Sequence, residues 1–459
     1  MLFSGLTFLY GFLPAVLALY FLAPERFKNE VLLLASLFFY AWGEPRLVLL
    51  MVAAIAVFYL CGLAIGAAKS RRRKRLWMAA AVTVGVGMLA VFKYADFFIG
   101  SFNAVTGLGL PLLHLALPIG ISFYTFQCIS YVVDVYRGDA APQRNLITFG
   151  CYVSLFPQLI AGPIVRYAQV ARELEGRTHT AQDFTLGLRR FLFGLGKKVL
   201  LANQLGELTA LYRASDEKSV LFCWLYAVAF TLHIYFDFSG YSDMAIGLGR
   251  IFGFRFPENF DYPYLSRSVT EFWRRWHMTL GGWFRDYVYI PLGGSRVGRA
   301  RWFLNVLVVW MLTGLWHGAS WNFVLWGLTF AALLLLERLV PALTRLPGLP
   351  ARLYVMAAVT LSFVLFDAES LGKAWQNLAG LFGLAGLPGV TAESLYQLRS
   401  FAVLLLAGIL GATPWPKRWG EAAVRKYPWL QTLAMTALLL LCTAYLVDGS
   451  FNPFLYFRF

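Results

Sequence analysis

From Leu47 to Ala68 the chain runs for 22 residues without one charged side chain. A helix needs about 20 mostly apolar residues to cross the hydrocarbon core of a bilayer. Only helices and closed barrels satisfy their own backbone hydrogen bonds there. A barrel strand alternates apolar and polar residues, and runs such as Val306–Leu312 and Phe330–Leu336 do not alternate. Further apolar runs predict spans near Leu2–Ala23, Val31–Trp42, Leu76–Phe92, Leu115–Tyr136, Phe191–Tyr212, Val220–Phe238, Trp302–Leu315, Trp321–Val340, Leu353–Phe366, Phe401–Leu410 and Leu430–Leu446. The expected fold class is an all-α polytopic membrane protein with roughly 11 to 13 membrane helices. Only 14% of residues are charged, against about 25% in a soluble domain. That excludes a string of soluble domains and a disordered chain. The five cysteines (Cys61, Cys128, Cys151, Cys223, Cys442) are scattered, which excludes a disulfide scaffold and any CxxC metal spacing.

The net charge of +16 does not point to nucleic acid, because the basic residues sit between apolar runs, as cytoplasmic loops require. Lys69-Ser70-Arg71-Arg72-Arg73-Lys74-Arg75 is the clearest marker of the cytoplasmic side. Counting back three spans places the N-terminus outside. Met1-Leu2-Phe3-Ser4-Gly5 lacks a basic n-region and a small-residue cleavage site, so it reads as a retained first span. Two stretches interrupt the pattern. Asn145–Arg166 is apolar but broken by Pro157, Gly162 and Pro163, and is expected to be re-entrant. Ser239–Arg301 is polar and aromatic, with nine Arg and no Lys against five acids, and is expected to form short helices at the cytoplasmic face. With no internal repeat and no linker, residues 1–459 read as one membrane domain.

Of five histidines, His114 and His179 lie in a Leu-Pro stretch and a polar loop, where a structural or solvent role is the plainer reading. His317 stands between two strongly apolar helices in Gly314-Leu315-Trp316-His317-Gly318-Ala319-Ser320-Trp321-Asn322. An ionisable residue among membrane spans is a functional candidate by default; a hydrogen-bonded interhelical histidine is the competing reading. The glycines would let a backbone or substrate come close, Ser320 could cap the next helix, and Asn322 could orient the His317 ring. His277 lies in Glu271-Phe272-Trp273-Arg274-Arg275-Trp276-His277-Met278-Thr279-Leu280. If that run is one helix, Trp273, Trp276, His277, Leu280 and Phe284 share an inward face, with Arg274, Arg275 and Arg285 turned toward headgroups or an anionic ligand. An interfacial helix with a core histidine fits the same pattern. His233 stands four residues before Asp237 on one helix face, a spacing that suits base chemistry or two mutually satisfied buried polar groups. No Gly-x-Ser-x-Gly elbow, HExxH or P-loop is present. A buried histidine acting as general base on a hydroxyl is the economical chemistry.

Five motifs carry a family resemblance: Tyr235-Phe236-Asp237-Phe238-Ser239-Gly240-Tyr241-Ser242-Asp243-Met244-Ala245-Ile246-Gly247, Asn259-Phe260-Asp261-Tyr262-Pro263-Tyr264, Glu271–Leu280, Trp283-Phe284-Arg285-Asp286-Tyr287-Val288-Tyr289-Ile290-Pro291-Leu292-Gly293-Gly294, and Thr313–Gly318 with its Trp316-His317-Gly318. With Gln158–Pro163 and Phe451-Asn452-Pro453-Phe454, they make the chain resemble the membrane-bound O-acyltransferases, in the branch that acetylates alginate, peptidoglycan and cellulose and D-alanylates teichoic acid. The motif core spans about 145–340. The resemblance implies a ring of membrane helices around a central tunnel, in a bacterial cytoplasmic (inner) membrane. It makes His317 the catalytic residue and His277 a second active-site residue. His277 would orient the donor carbonyl or hydrogen-bond the developing oxyanion, with Asn322, Trp316, Trp276 and Asp237 as orienting or tunnel residues. At His233 the family commonly carries glutamine, so that residue stands outside the shared machinery. No bound cofactor or metal is implied. The donor would be acetyl-coenzyme A or an acyl-carrier thioester, its phosphates meeting Arg274, Arg275 or Arg285. The partners implied are membrane lipid, a polysaccharide acceptor and a periplasmic protein. A transporter or flippase, or a scaffold of a polysaccharide export complex, would also explain the spans; the first predicts internal pseudo-repeats, and none is visible.

Overall fold

The computed structural model describes residues 1–449 and Leu455; the Phe451–Phe454 motif lies outside the described residues. The described chain is helical throughout, apart from turns and irregular connections. Seven helices among the described residues are long and apolar enough to cross a membrane: Val48–Ala67, Arg71–Thr106, Val220–Ile251, Trp321–Leu339, Gly348–Asp367, Ala392–Gly411 and Trp429–Asp448. Thr7–Leu22 is a shorter apolar helix. Several sequence-expected spans are shorter or less apolar. Leu115–Tyr136 becomes a helix only from Ile121 to Arg137, because Gly120 at its N-terminal cap takes a left-handed backbone (φ +73°) that separates the helix from the Pro118 turn before it. The run expected to stop at Phe238 instead continues unbroken to Ile251.

The chain forms two compact units, Met1–Phe191 with Ser242–Pro257, and Leu192–Tyr241 with Glu258–Phe459. In the first, the Asn145–Arg166 stretch forms two short helices, Leu146–Ser154 and Phe156–Leu159. Asn145 caps the first, its Oδ1 accepting from the Ile147 and Thr148 N–H groups. The break between the helices is buried and paired: Phe156 N–H donates to Ser36 Oγ at 3.0 Å and the Gln158 side chain donates to Tyr152 O at 2.8 Å. Phe3, Phe8, Phe12, Phe39 and Phe156 pack over it edge to face or tilted. Irregular backbone is thus enclosed by protein, as its sequence required.

In the second unit, Arg299–His317 and Trp321–Leu339 form the tightest helix pair. A Cβ on Gly314 would strike the Phe323 carbonyl, one on Gly327 the Trp310 carbonyl, and one on Gly318 the Phe323 ring. The glycines expected to admit a substrate are therefore filled by the neighbouring helix, the small-residue packing usual where lipid offers no hydrophobic drive. Lys198, in the Lys197–Ala202 turn of π-helix, pairs with Asp237 of the Val220–Ile251 helix at 2.6 Å, both side chains almost fully buried. The second Asp237 oxygen accepts from Leu455 N–H at 2.9 Å. Asp237 is thus bound to Lys198 and the C-terminal backbone, and the His233–Asp237 pairing does not describe it.

Removing one partner of a buried ion pair strands the other charge, at about 3–5 kcal/mol. Asp237→Ala and Lys198→Ala are each expected to lower the thermal midpoint of the detergent-purified protein sharply. The Asp237→Leu/Lys198→Met double variant should melt above either single variant, because it leaves no unpaired charge.

Candidate active site

His317 is the last residue of the Arg299–His317 helix. Its ring is met edge to face by Trp316 at 5.1 Å, Trp326 at 5.0 Å and Phe366 at 5.3 Å. The helix ends there because Gly318 turns to extended backbone. Ser320 then begins the next helix in extended conformation. Its hydroxyl donates to Asn322 Oδ1 instead of capping that helix, and Asn322 Nδ2 donates to Ala368 O at 2.8 Å. Asn322 therefore fixes the Gly318–Asn322 turn to Ala368 and does not hold the His317 ring, which corrects the sequence expectation.

His277 does not sit on a continuous helix. Val269–Arg275 ends at Trp276, which is extended, and His277 takes a left-handed backbone with φ +44° and ψ +52° before Met278–Phe284 begins. That conformation costs a residue with a Cβ about 1–2 kcal/mol, and a strained non-glycine residue of this kind needs surroundings that enforce it. The Asn259–Asp261 loop supplies them. Asp261 N–H donates to Arg275 O at 2.9 Å, and Met278 N–H donates to Asn259 O at 3.0 Å, one bond on each side of the break. The far end is held as well. Ser268 Oγ accepts from Glu271 N–H, while the buried Glu337 carboxylate accepts from Val269 N–H at 2.5 Å and Thr270 N–H at 3.0 Å. A carboxylate on a helix N-terminus also meets the positive end of its dipole.

The break re-aims the later side chains that a helical wheel had aligned with Trp273. Trp276 stacks on Phe272 at 5.5 Å and meets Phe260 edge to face at 5.1 Å. The His277 ring instead lies edge to face on Phe238 at 4.6 Å, and Trp316 stands 5.8 Å from it. Trp316 thus touches both imidazoles. His277 Nδ1 is 3.1 Å from Asn259 Oδ1, and its Nε2 is buried with no hydrogen-bond partner among the described residues. Complete burial, and after it the electrostatic influence of His317, hold His277 well below the ordinary histidine range, which favours the neutral imidazole at neutral pH. Asn259, Phe238, Trp326 and Phe366 are the neighbours that sequence reasoning missed. Asn259 stood in a quoted motif, but nothing local in the sequence ties it to a ring 18 residues on.

The three arginines divide. Arg275 is bonded to Glu271 at 2.8 Å and to the Asp261 carbonyl at 3.2 Å. Arg285 grips Asp286 with contacts of 2.6 and 3.1 Å. Arg274 is exposed and has no carboxylate partner among the described residues. Of the remaining histidines, His233 is buried against Phe230. His179 bonds Tyr20 at 2.9 Å in the other unit, and the His114 N–H donates to Asp96. No three His, Cys, Asp or Glu side chains among the described residues gather as metal ligands.

The His277 environment predicts a pH effect on stability. The folded state holds the ring neutral, while the unfolded chain protonates it near the ordinary value of about 6.5. Below that value the unfolded state binds more protons, so stability present at neutral pH is lost as pH falls. Melting in detergent between about pH 7.5 and about pH 5 should show this loss, and His277→Gln should reduce it. His179, held low by burial and by Lys28, contributes in the same direction.

Residues 141–367 match the model of the membrane-bound O-acyltransferase family. The chain is 42% identical to a probable alginate O-acetylase of Azotobacter vinelandii, over 89% of this chain and 84% of that protein. It is 44% identical to the protein of that name from Pseudomonas aeruginosa, over 83% and 75%. Its identity to a peptidoglycan O-acetyltransferase of Helicobacter pylori is 34%, over 84% and 81%.

Proposed function

The chain belongs to the membrane-bound O-acyltransferase family, and from that membership we propose that it moves an acetyl group from a cytoplasmic thioester to a hydroxyl outside the membrane, with His317 as the general base. It is a multi-pass membrane enzyme. The observation that carries the residue assignment is the pair of buried imidazoles, His277 and His317, that share the Trp316 ring. The acceptor oxygen attacks the thioester carbonyl, a C–O bond forms and the C–S bond breaks. The hydroxyl proton goes to His317 and then to the departing thiolate. His317 suits this task by position: it ends a 19-residue helix, where the negative end of the dipole favours the charge the ring acquires. Its aromatic walls exclude competing water. His277 stands on the same path as the second imidazole, and Trp316 spaces the two rings. Asp237 acts from further away by fixing, through Lys198, the helix that carries Phe238.

The similarity to alginate O-acetylases over nearly the whole chain supports a polysaccharide acceptor, reached directly or through a periplasmic protein. The peptidoglycan O-acetyltransferase relative favours peptidoglycan as the second reading. The donor is acetyl-coenzyme A or an acyl-carrier thioester. The 69–75 basic block supports a cytoplasmic position for the 250–301 segment and an N-terminus outside, and the bacterial alginate O-acetylase relatives favour residence in a bacterial inner membrane. Of the three arginines, Arg274 is best placed to meet a phosphate of the donor.

Reconstituted vesicles with labelled donor on one side test this reading. His317→Ala should lower acyl transfer by about a hundredfold or more with folding intact. His277→Ala should lower it strongly, and His233→Gln should match wild type. Arg274→Ala should weaken donor use by about 1.5–3 kcal/mol, the worth of a hydrogen bond to a charged group, read as a raised donor KM. Full activity in folded His317→Ala removes the base. Transfer only with donor on the outer side overturns the orientation.

A further inference from the structure

We propose that Asn259 is a positioning residue that fixes the His277 ring in its Nδ1–H tautomer, so that Nε2 meets the reaction as a hydrogen-bond acceptor. The proposal rests on the reading above for the reaction served, and for the tautomer on hydrogen-bond geometry together with the burial that keeps the ring neutral.

One shared atom decides it. Asn259 Oδ1 lies 3.1 Å from His277 Nδ1, 2.9 Å from Thr279 Oγ1 and 3.3 Å from the Thr279 backbone nitrogen. A side-chain amide can be turned about, exchanging its oxygen and nitrogen, so such an assignment needs a partner of fixed character. The Thr279 backbone N–H is that partner, because it can only donate. The Asn259 atom facing it is the oxygen; the reversed amide would set NH₂ against N–H. An amide oxygen only accepts, so His277 Nδ1 carries the hydrogen. A neutral imidazole has a single N–H, and burial keeps this ring neutral. The hydrogen is thereby spent on Asn259, and Nε2 is left with its lone pair in a buried place with no hydrogen-bond partner among the described residues.

Under this proposal His277 takes a different role from the one expected for it. Hydrogen-bonding an oxyanion, or polarising a donor carbonyl, needs an N–H at the ring's free end, and this tautomer has none there. The group that meets Nε2 must bring its own hydrogen: the O–H of the acceptor, the S–H of the released thiol, or the N–H of a protonated His317. His277 therefore serves proton movement, and the left-handed backbone that places it also brings Thr279 to the oxygen that sets its tautomer.

The tautomer is read directly from the ¹⁵N spectrum of histidine-labelled protein in detergent, with His277→Gln identifying the His277 signals. Wild type should show a protonated Nδ1 and an unprotonated Nε2. Asn259→Ala should lose that pattern and lower kcat by about tenfold or more, with the donor KM nearly unchanged. Asn259→Asp, which keeps an oxygen acceptor, should keep the pattern and recover part of kcat. A protonated Nε2 in the neutral wild-type ring overturns the proposal, as does Asn259→Ala with the wild-type pattern and kcat. The wild-type spectrum is decisive even if a variant does not fold. An unprotonated Nε2 together with a fully active His277→Ala would instead sink the use of His277 in catalysis and leave the tautomer standing.

Discussion

A helix can stop inside apolar surroundings only where other groups take over the hydrogen bonds it drops. At Trp276–His277 that task falls to the Asn259–Asp261 backbone, which bonds Arg275 on one side of the break and Met278 on the other. The rest of the site depends on this exchange. It permits the left-handed residue, turns Trp276 away into its own stack, and brings the His277 ring onto Phe238. The same loop then uses its Asn259 side chain on the ring it has placed.

Two buried carboxylates show how the second unit accommodates charge in an apolar interior. Asp237 is matched by Lys198 and by a backbone N–H. Glu337 is matched by two backbone N–H groups at a helix start and by the Thr270 hydroxyl at 2.7 Å. Each joins segments far apart in the chain. Both are costly to bury alone, so each makes its partner segment hard to displace.

The sequence displayed the membrane class, the broken Asn145–Arg166 stretch and the two histidines with their family motifs. It hid what depends on backbone turns between distant segments. The helical wheel through Phe284 failed because it assumed 100° per residue across a break that the distant Asn259–Asp261 backbone bridges. Asn322 looked like an orienter for His317 because the two are near in sequence, yet Ala368 claims its amide. Gly314 and Gly318 looked like space for a substrate, but Phe323 fills it. Lys198 was missed although it carried a usable signal: a lysine entering an apolar run demands a buried carboxylate, and Asp237 was already in view.

The Trp321–Leu339 helix holds Trp326 against His317 near one end and Glu337 against the start of the His277-bearing segment near the other. Eleven residues of helix separate those two contacts, a strut of about 16 Å, about half the thickness of a bilayer's hydrocarbon core. A transmembrane helix answers a thinner or thicker bilayer chiefly by changing its tilt. One rigid helix thus links the two segments that carry the imidazoles, and a tilt of that helix displaces Trp326 and Glu337 together.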